Sequence, residues 1–142
     1  MKTHQARCAC GEVRYEFCGQ PYTVYACHCT RCQQRTGSAF GLTMIVPANA
    51  ITFVGKGLAE DMSNQSGPLL YCDTCRSLMA YKSAPDTYCV FPGAFDDKTW
   101  FKPVANIWVR SAQPWVTIDQ RLKCYEENPN YAELYKLYKG AS

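Results

Sequence analysis

Long hydrophobic runs are missing from this chain. None approaches the roughly 20 consecutive apolar residues that a helix needs to cross a bilayer, so no membrane role is expected. Charge is sparse and balanced. Only 19% of the 142 residues are Asp, Glu, Lys or Arg, and the formal net charge is +3. Neither half is polarised, which argues against a nucleic-acid or membrane-surface partner. There is no internal repeat, no low-complexity tract and no linker rich in Pro, Gly or Ser, so one domain over residues 1–142 is expected. The opening Met1-Lys2-Thr3-His4-Gln5-Ala6-Arg7 lacks the apolar stretch of a signal peptide, which points to a cytoplasmic protein.

What is abundant is cysteine, 10 residues of 142. In a reducing compartment clustered thiols suggest metal before disulfides. Hydrophobic residues, at 47%, suffice for a buried core.

Short strand-like runs dominate the rest. Glu12–Phe17 alternates polar and apolar, the mark of a half-buried strand. Gly19-Gln20-Pro21 turns the chain into a second run, Tyr22–Ala26, and Phe40–Val46 is an apolar strand ended by Pro47. Further strands are expected at Ile51–Val54, Leu69–Tyr71, Leu78–Tyr81, Thr87–Phe91 and Ile107–Val109, which together read as a mainly β domain. A short C-terminal helix is expected over about residues 129–139, capped by Asn128 with Pro129 in its first position. Its Tyr131, Leu134, Tyr135 and Tyr138 share one face, and Gly140 can end it. That face packs on the sheet or forms a homodimer contact.

The cysteines fall into three groups: Cys8-Ala9-Cys10, Cys27-His28-Cys29-Thr30-Arg31-Cys32, and Cys72-Asp73-Thr74-Cys75. In an extended backbone residues i and i+2 share a face, so Cys8 and Cys10 can grip one ion from a strand. Cys27 and Cys29 can do the same and turn His28 away. Cys29/Cys32 and Cys72/Cys75 have the two-residue knuckle spacing common among zinc ligands. A closed structural zinc takes four ligands, and a catalytic one takes three and keeps a position open. Cys8, Cys10, Cys72 and Cys75 then form the closed set, and Cys27, Cys29 and Cys32 the open one. The competing division joins Cys29/Cys32 with Cys72/Cys75 as a zinc ribbon and strands the other three. Iron is an alternative occupant of four thiolates.

These motifs resemble the glutathione-dependent formaldehyde-activating enzymes, grouped with the centromere protein V domain. The likeness spans about Arg7 to Tyr125 and rests on Cys8-Ala9-Cys10-Gly11-Glu12-Val13-Arg14-Tyr15 and on Cys27-His28-Cys29-Thr30-Arg31-Cys32 followed by Gly37-Ser38-Ala39-Phe40. Phe95-Asp96-Asp97 and Ile107-Trp108 with Trp115 resemble later landmarks. The resemblance implies a Mss4-like β fold and two zinc ions per chain. It implies a structural zinc on Cys8, Cys10, Cys72 and Cys75 and a catalytic zinc on Cys27, Cys29 and Cys32. It also implies a carbon–sulfur lyase activity that condenses glutathione with formaldehyde to S-hydroxymethylglutathione. The sequence departs from the family pattern at Arg76, where a Gly usually follows the second knuckle, and at Asn106, where a His often precedes the Ile.

Three thiolates give an open zinc site a local charge of −1, suited to orienting a sulfur nucleophile. A substrate thiol, glutathione first, is expected in the fourth position, its pKa lowered by the metal. Arg31 and Arg35 are the candidates for pairing with its carboxylates or with the thiolate charge; Ser38 and Thr36 are candidate hydrogen-bonding groups. His28 is expected in a supporting rather than an acid–base role, and His4 in solvent. Cys18, Cys89 and Cys124 read as small buried hydrophobes, with Cys89 the first candidate for a fourth ligand. Trp100, Trp108 and Trp115 read as core or pocket wall. A zinc-stabilised binding module without turnover is the alternative function, and a redox protein using Cys29-x-x-Cys32 a third.

Overall fold

A computed structural model describes residues 2–141. Along the chain they form β1 (Thr3–Arg7), β2 (Arg14–Cys18), β3 (Thr23–Cys27), α1 (Thr30–Thr36), β4 (Gly41–Pro47), β5 (Ile51–Val54) and β6 (Leu58–Asp61). There follow β7 (Leu69–Cys72), β8 (Leu78–Ala84), β9 (Thr87–Val90), β10 (Ala105–Ile107), β11 (Lys123–Cys124) and α2 (Tyr131–Ala141). The fold is mainly β with a short C-terminal helix, as the alternation and turn residues predict. It divides into two compact units, one made of the chain up to Pro21 with Met44–Trp100, the other of Tyr22–Thr43 with the chain from Phe101 on.

The first unit starts from alternation. In β2, Tyr15 and Phe17 are buried while Arg14, Glu16 and Cys18 face out. β2 is the centre of an antiparallel β1-β2-β5 sheet, with Ala6 opposite Tyr15 and Tyr15 opposite Phe53. Its apolar face meets an aromatic cluster: Phe95 lies edge-on to Tyr15 at 5.4 Å and to Trp100 at 5.0 Å. His4, expected in solvent, instead stacks on Trp100 at 3.7 Å, because alternation along β1 turns it to the same side as Ala6. The second half of β4 continues through β9, β8 and β7 to β6 in antiparallel order. Opposite Leu70/Tyr71 the partner strand β8 carries one extra residue, Met79, a bulge that bends β8 just after the Cys72–Cys75 turn. Gly55 has no room for a side chain: a Cβ there would lie 2.0 Å from the Glu12 carbonyl oxygen.

In the second unit β3 is buried along its whole length. That suits a strand covered on both faces. β10 pairs with it in parallel, Ile107 opposite Cys27, and β11 pairs in parallel with β10. Helix α2 packs against β3 through the buried Leu134 and Tyr138. The cap is Asn130, whose side chain accepts the Glu133 N–H at 3.2 Å, and not Asn128 as expected. Asn128 is taken instead by the Trp108 indole, which donates to it at 2.9 Å. Gly140 lies inside the helix rather than after it. The strand expected at Ile107–Val109 stops at Ile107, because Trp108 adopts a left-handed backbone, φ 56°.

Candidate metal centres

Two tight turns build the first thiol cluster, both in the first unit. After β1 the chain folds back on itself: Cys8 N–H donates to the Val13 carbonyl at 2.9 Å, and Gly11 N–H to the Cys8 carbonyl at 3.0 Å. Gly11, at φ 81°, supplies the left-handed step this turn needs. Cys8 and Cys10 thus grip from a turn and not from a strand, since β1 ends at Arg7. The second turn joins β7 to β8. Arg76 N–H donates to the Cys72 carbonyl at 2.8 Å, and Arg76 sits at φ 64°. The position therefore keeps the glycine-like conformation even though it carries a long side chain. Arg76 pairs with Asp73 at 3.4 Å and lies over the Tyr71 ring at 5.8 Å.

The two turns clasp each other. Ala9 N–H donates to Ser77 Oγ at 3.0 Å, and Thr74 Oγ1 donates to a Glu12 carboxylate oxygen at 2.6 Å. The sulfurs of Cys8, Cys10, Cys72 and Cys75 all lie within 4.8 Å of one another. Cys8 and Cys10 are 3.6 Å apart, and Cys10 and Cys72 3.8 Å. A tetrahedral zinc with metal–sulfur bonds of about 2.3 Å requires sulfur–sulfur edges of about 3.8 Å. A disulfide would need about 2.05 Å. The four thiols fit zinc. The Val13 N–H reaches Cys8 Sγ at 3.3 Å, and Ser77, whose hydroxyl lies 3.1 Å from Cys75 Sγ, holds that thiol well below its ordinary pKa.

The second cluster belongs to the second unit. Cys27 ends β3, and the parallel ladder continues one step further as His28 N–H donates to the Ile107 carbonyl at 3.0 Å. Cys29 keeps an extended backbone, φ −67° and ψ 157°, and caps α1 by accepting the Cys32 N–H on its sulfur at 3.4 Å. Cys27, Cys29 and Cys32 bring three sulfurs within 4.8 Å of one another. The two clusters match the four-and-three division, not the zinc-ribbon one. Cys89, although buried, belongs to neither. Cys18 is exposed and Cys124 half-buried, so neither is the buried hydrophobe expected.

His28 turns away from the sulfurs as the extended geometry requires. It is 2% exposed, and its Nε2–H donates to Asn106 Oδ1 at 2.9 Å. Asn106 thus contributes a buried acceptor where the family pattern has a His. Gln33, which the sequence did not single out, donates through Nε2 to the carbonyls of His28 at 2.8 Å and Ser111 at 2.9 Å.

Charge is distributed unevenly over the triplet. The hydrogen bond from Cys27 to Cys32 pushes the Cys27 thiol up and Cys32 down, and the Arg35 guanidinium lowers Cys32 further. Arg35 Nη2 lies 3.6 Å from Cys32 Sγ. Gly41 makes room for it: a Cβ there would meet that Nη2 at 2.9 Å. Arg31 is exposed on the outer side of α1. Thr36 is spent on the helix end, donating to the Cys32 carbonyl at 2.9 Å. Ser38 lines a cleft of about 540 Å³ with Thr30, Gln33, Gln34, Gly37, Ala39, Gln113 and Trp115. Among the described residues no helix is long and apolar enough to cross a membrane.

The crystal structure of a Rhodobacter sphaeroides protein, a structural genomics target, is similar in fold: TM-score 0.53 at 14% identity, over 85% of this chain and 98% of that one. No curated protein sequence matches. The sequence match to a family is direct. Residues 3–111, which include all seven clustered thiols, match the glutathione-dependent formaldehyde-activating enzymes, and the chain belongs to that family.

Proposed function

We propose that the chain is a zinc-dependent carbon–sulfur lyase that joins glutathione, or a related small thiol, to formaldehyde and reverses the same step. The observation that carries this reading is the second cluster, which has three sulfurs rather than four. A zinc ion held by Cys27, Cys29 and Cys32 would supply an open fourth position that takes a thiol as its thiolate. In the reaction the sulfur bonds to the aldehyde carbon and the thiol proton ends on the oxygen, so nothing is oxidised.

The chain's own residues have separate tasks. Arg35 sets a positive charge against the Cys32 sulfur and so offsets the repulsion among three thiolates. Arg31, exposed one residue before Cys32, is the group available to a substrate carboxylate. His28, fixed by Ile107, Asn106 and Gln33, holds Cys27 and Cys29 at their spacing. Cys8, Cys10, Cys72 and Cys75 would hold the structural zinc.

The test compares glutathione with S-methylglutathione by calorimetry on the zinc-loaded protein. Glutathione is expected to bind much more tightly, because only its sulfur can ionise. Equal binding would remove the thiolate mechanism and favour a binding module without turnover.

A further inference from the structure

The cleft on α1 is lined by none of the three sulfurs, although it shares Gln33 with the support of His28. Thr30, Gln33 and Gln34 fall at i, i+3 and i+4, one face of α1, whereas Cys32 and Arg35 fall at i and i+3 on another. Its walls carry no charged side chain. A ligand held there by carboxylates or phosphates would lose their hydration and find no counter-charge.

Trp115 is the second observation. It is 73% exposed, and its indole is tied back towards α1 by hydrogen bonds. The indole N–H donates to Gln113 Oε1 at 2.7 Å, Gln113 Nε2 donates to Gln33 Oε1 at 3.1 Å, and Gln33 is anchored on the carbonyls of His28 and Ser111. The one polar atom of the indole is therefore engaged, and the exposed surface is ring carbon. A rigid aromatic face held open to solvent offers stacking area at little ordering cost. Around it stand Gln34, Thr30 and Ser38, whose amide and hydroxyl groups can each donate and accept.

We propose that this cleft binds an uncharged, hydroxyl-bearing ring, a sugar or sugar-like group, with its C–H face on Trp115 and its hydroxyls on Gln34, Thr30 and Ser38. A flat apolar ring would stack equally well but would bury those three polar groups without partners, which is unfavourable. A sugar ring supplies both the apolar face and the partners. The inference uses none of the sulfurs and neither Arg31 nor Arg35, and it assigns Ser38 to this ring rather than to the thiol substrate.

The experiment is saturation-transfer NMR with calorimetry on the full zinc-loaded chain. The probes are the methyl pyranosides of glucose, galactose and mannose in both anomers, with glucose 6-phosphate as the charged comparison. At least one neutral glycoside is expected to saturate the cleft, with transfer strongest at the ring C–H protons, and to bind more tightly than glucose 6-phosphate. Trp115→Ala, at an exposed position, is expected to weaken it about tenfold or more, and Gln34→Ala by a smaller factor. Glutathione affinity, measured on the same variants, is expected to stay unchanged, so that failure here is distinct from failure of the thiolate mechanism. Absence of transfer to every glycoside, preference for the phosphorylated sugar, or binding that survives Trp115→Ala would each overturn the proposal.

Discussion

Thr74 and Glu12, 62 residues apart in sequence, meet through a hydrogen bond of 2.6 Å that closes one thiol turn onto the other. Neither residue belongs to the thiol set: Glu12 lies between Cys10 and β2, and Thr74 lies inside the Cys72–Cys75 turn. A double-mutant cycle of Glu12→Ala and Thr74→Ala is expected to give a coupling of about 1 kcal/mol in urea unfolding. A coupling of zero would mean that the thiol cluster and the Ala9–Ser77 bond suffice to hold the turns together.

Substitution is expected to separate the two clusters. Cys75→Ser breaks a set that ties β7 to the turn after β1, so it should lower the thermal midpoint sharply and reduce zinc content. Cys32→Ser should cost one zinc and the lyase activity while leaving the far-ultraviolet circular dichroism largely intact. Metal analysis with melting curves checks both. If both variants unfold alike, the three-sulfur cluster is structural.

Acid is expected to empty the three-sulfur cluster first. Metal binding needs thiolates, so protons compete with zinc as pH falls and affinity rises with pH. Each cluster holds one thiol pushed up and one pulled down, Cys27 with Cys32 and Cys10 with Cys75, so the difference between them lies in ligand number, three sulfurs against four. Zinc release to a chromophoric chelator during a downward pH titration should therefore be biphasic, with the Cys32→Ser variant lacking the phase at higher pH.

Arg76 holds a left-handed backbone without being glycine. Arg76→Gly is expected to stabilise the protein by about 1 kcal/mol, the relief of that conformation outweighing an exposed ion pair. Arg76→Val, β-branched at the same φ, should destabilise it by about 2 kcal/mol. Chemical denaturation gives the order; a valine variant as stable as wild type would show that the turn relaxes.

The three thiol groups were legible in the sequence because ligand spacing is a local property, and their division into four and three followed from ligand number. Cys27-x-Cys29 and Cys72-x2-Cys75 set their own geometry within a few residues. The strands with alternating or apolar runs, such as Arg14–Cys18 and Ile51–Val54, were legible for the same reason. What escaped was decided by distant partners. β6 and β11 are short and carry charged residues, so pairing alone defines them. Helix α1 begins inside a metal knuckle, where Cys29 doubles as the cap. Asn130 and Asn128 are equally good caps by type, and only the Trp108 indole, 20 residues away, decides between them. Gln33, Gln113 and Ser77 belong to no motif, and only the folded chain shows what they hold.

The two clusters also differ in when they can exist during synthesis. Cys27, Cys29 and Cys32 emerge within six residues of each other, so the three-sulfur set is chemically complete as soon as that short stretch is clear of the ribosome. Cys72 follows Cys10 by 62 residues, a delay of roughly 3–12 s at translation rates of about 5–20 residues per second. For that interval Cys8 and Cys10 are a half-site on a nascent chain. The order of appearance thus runs opposite to the order of structural importance: the set that stitches distant segments together is the last to be completed.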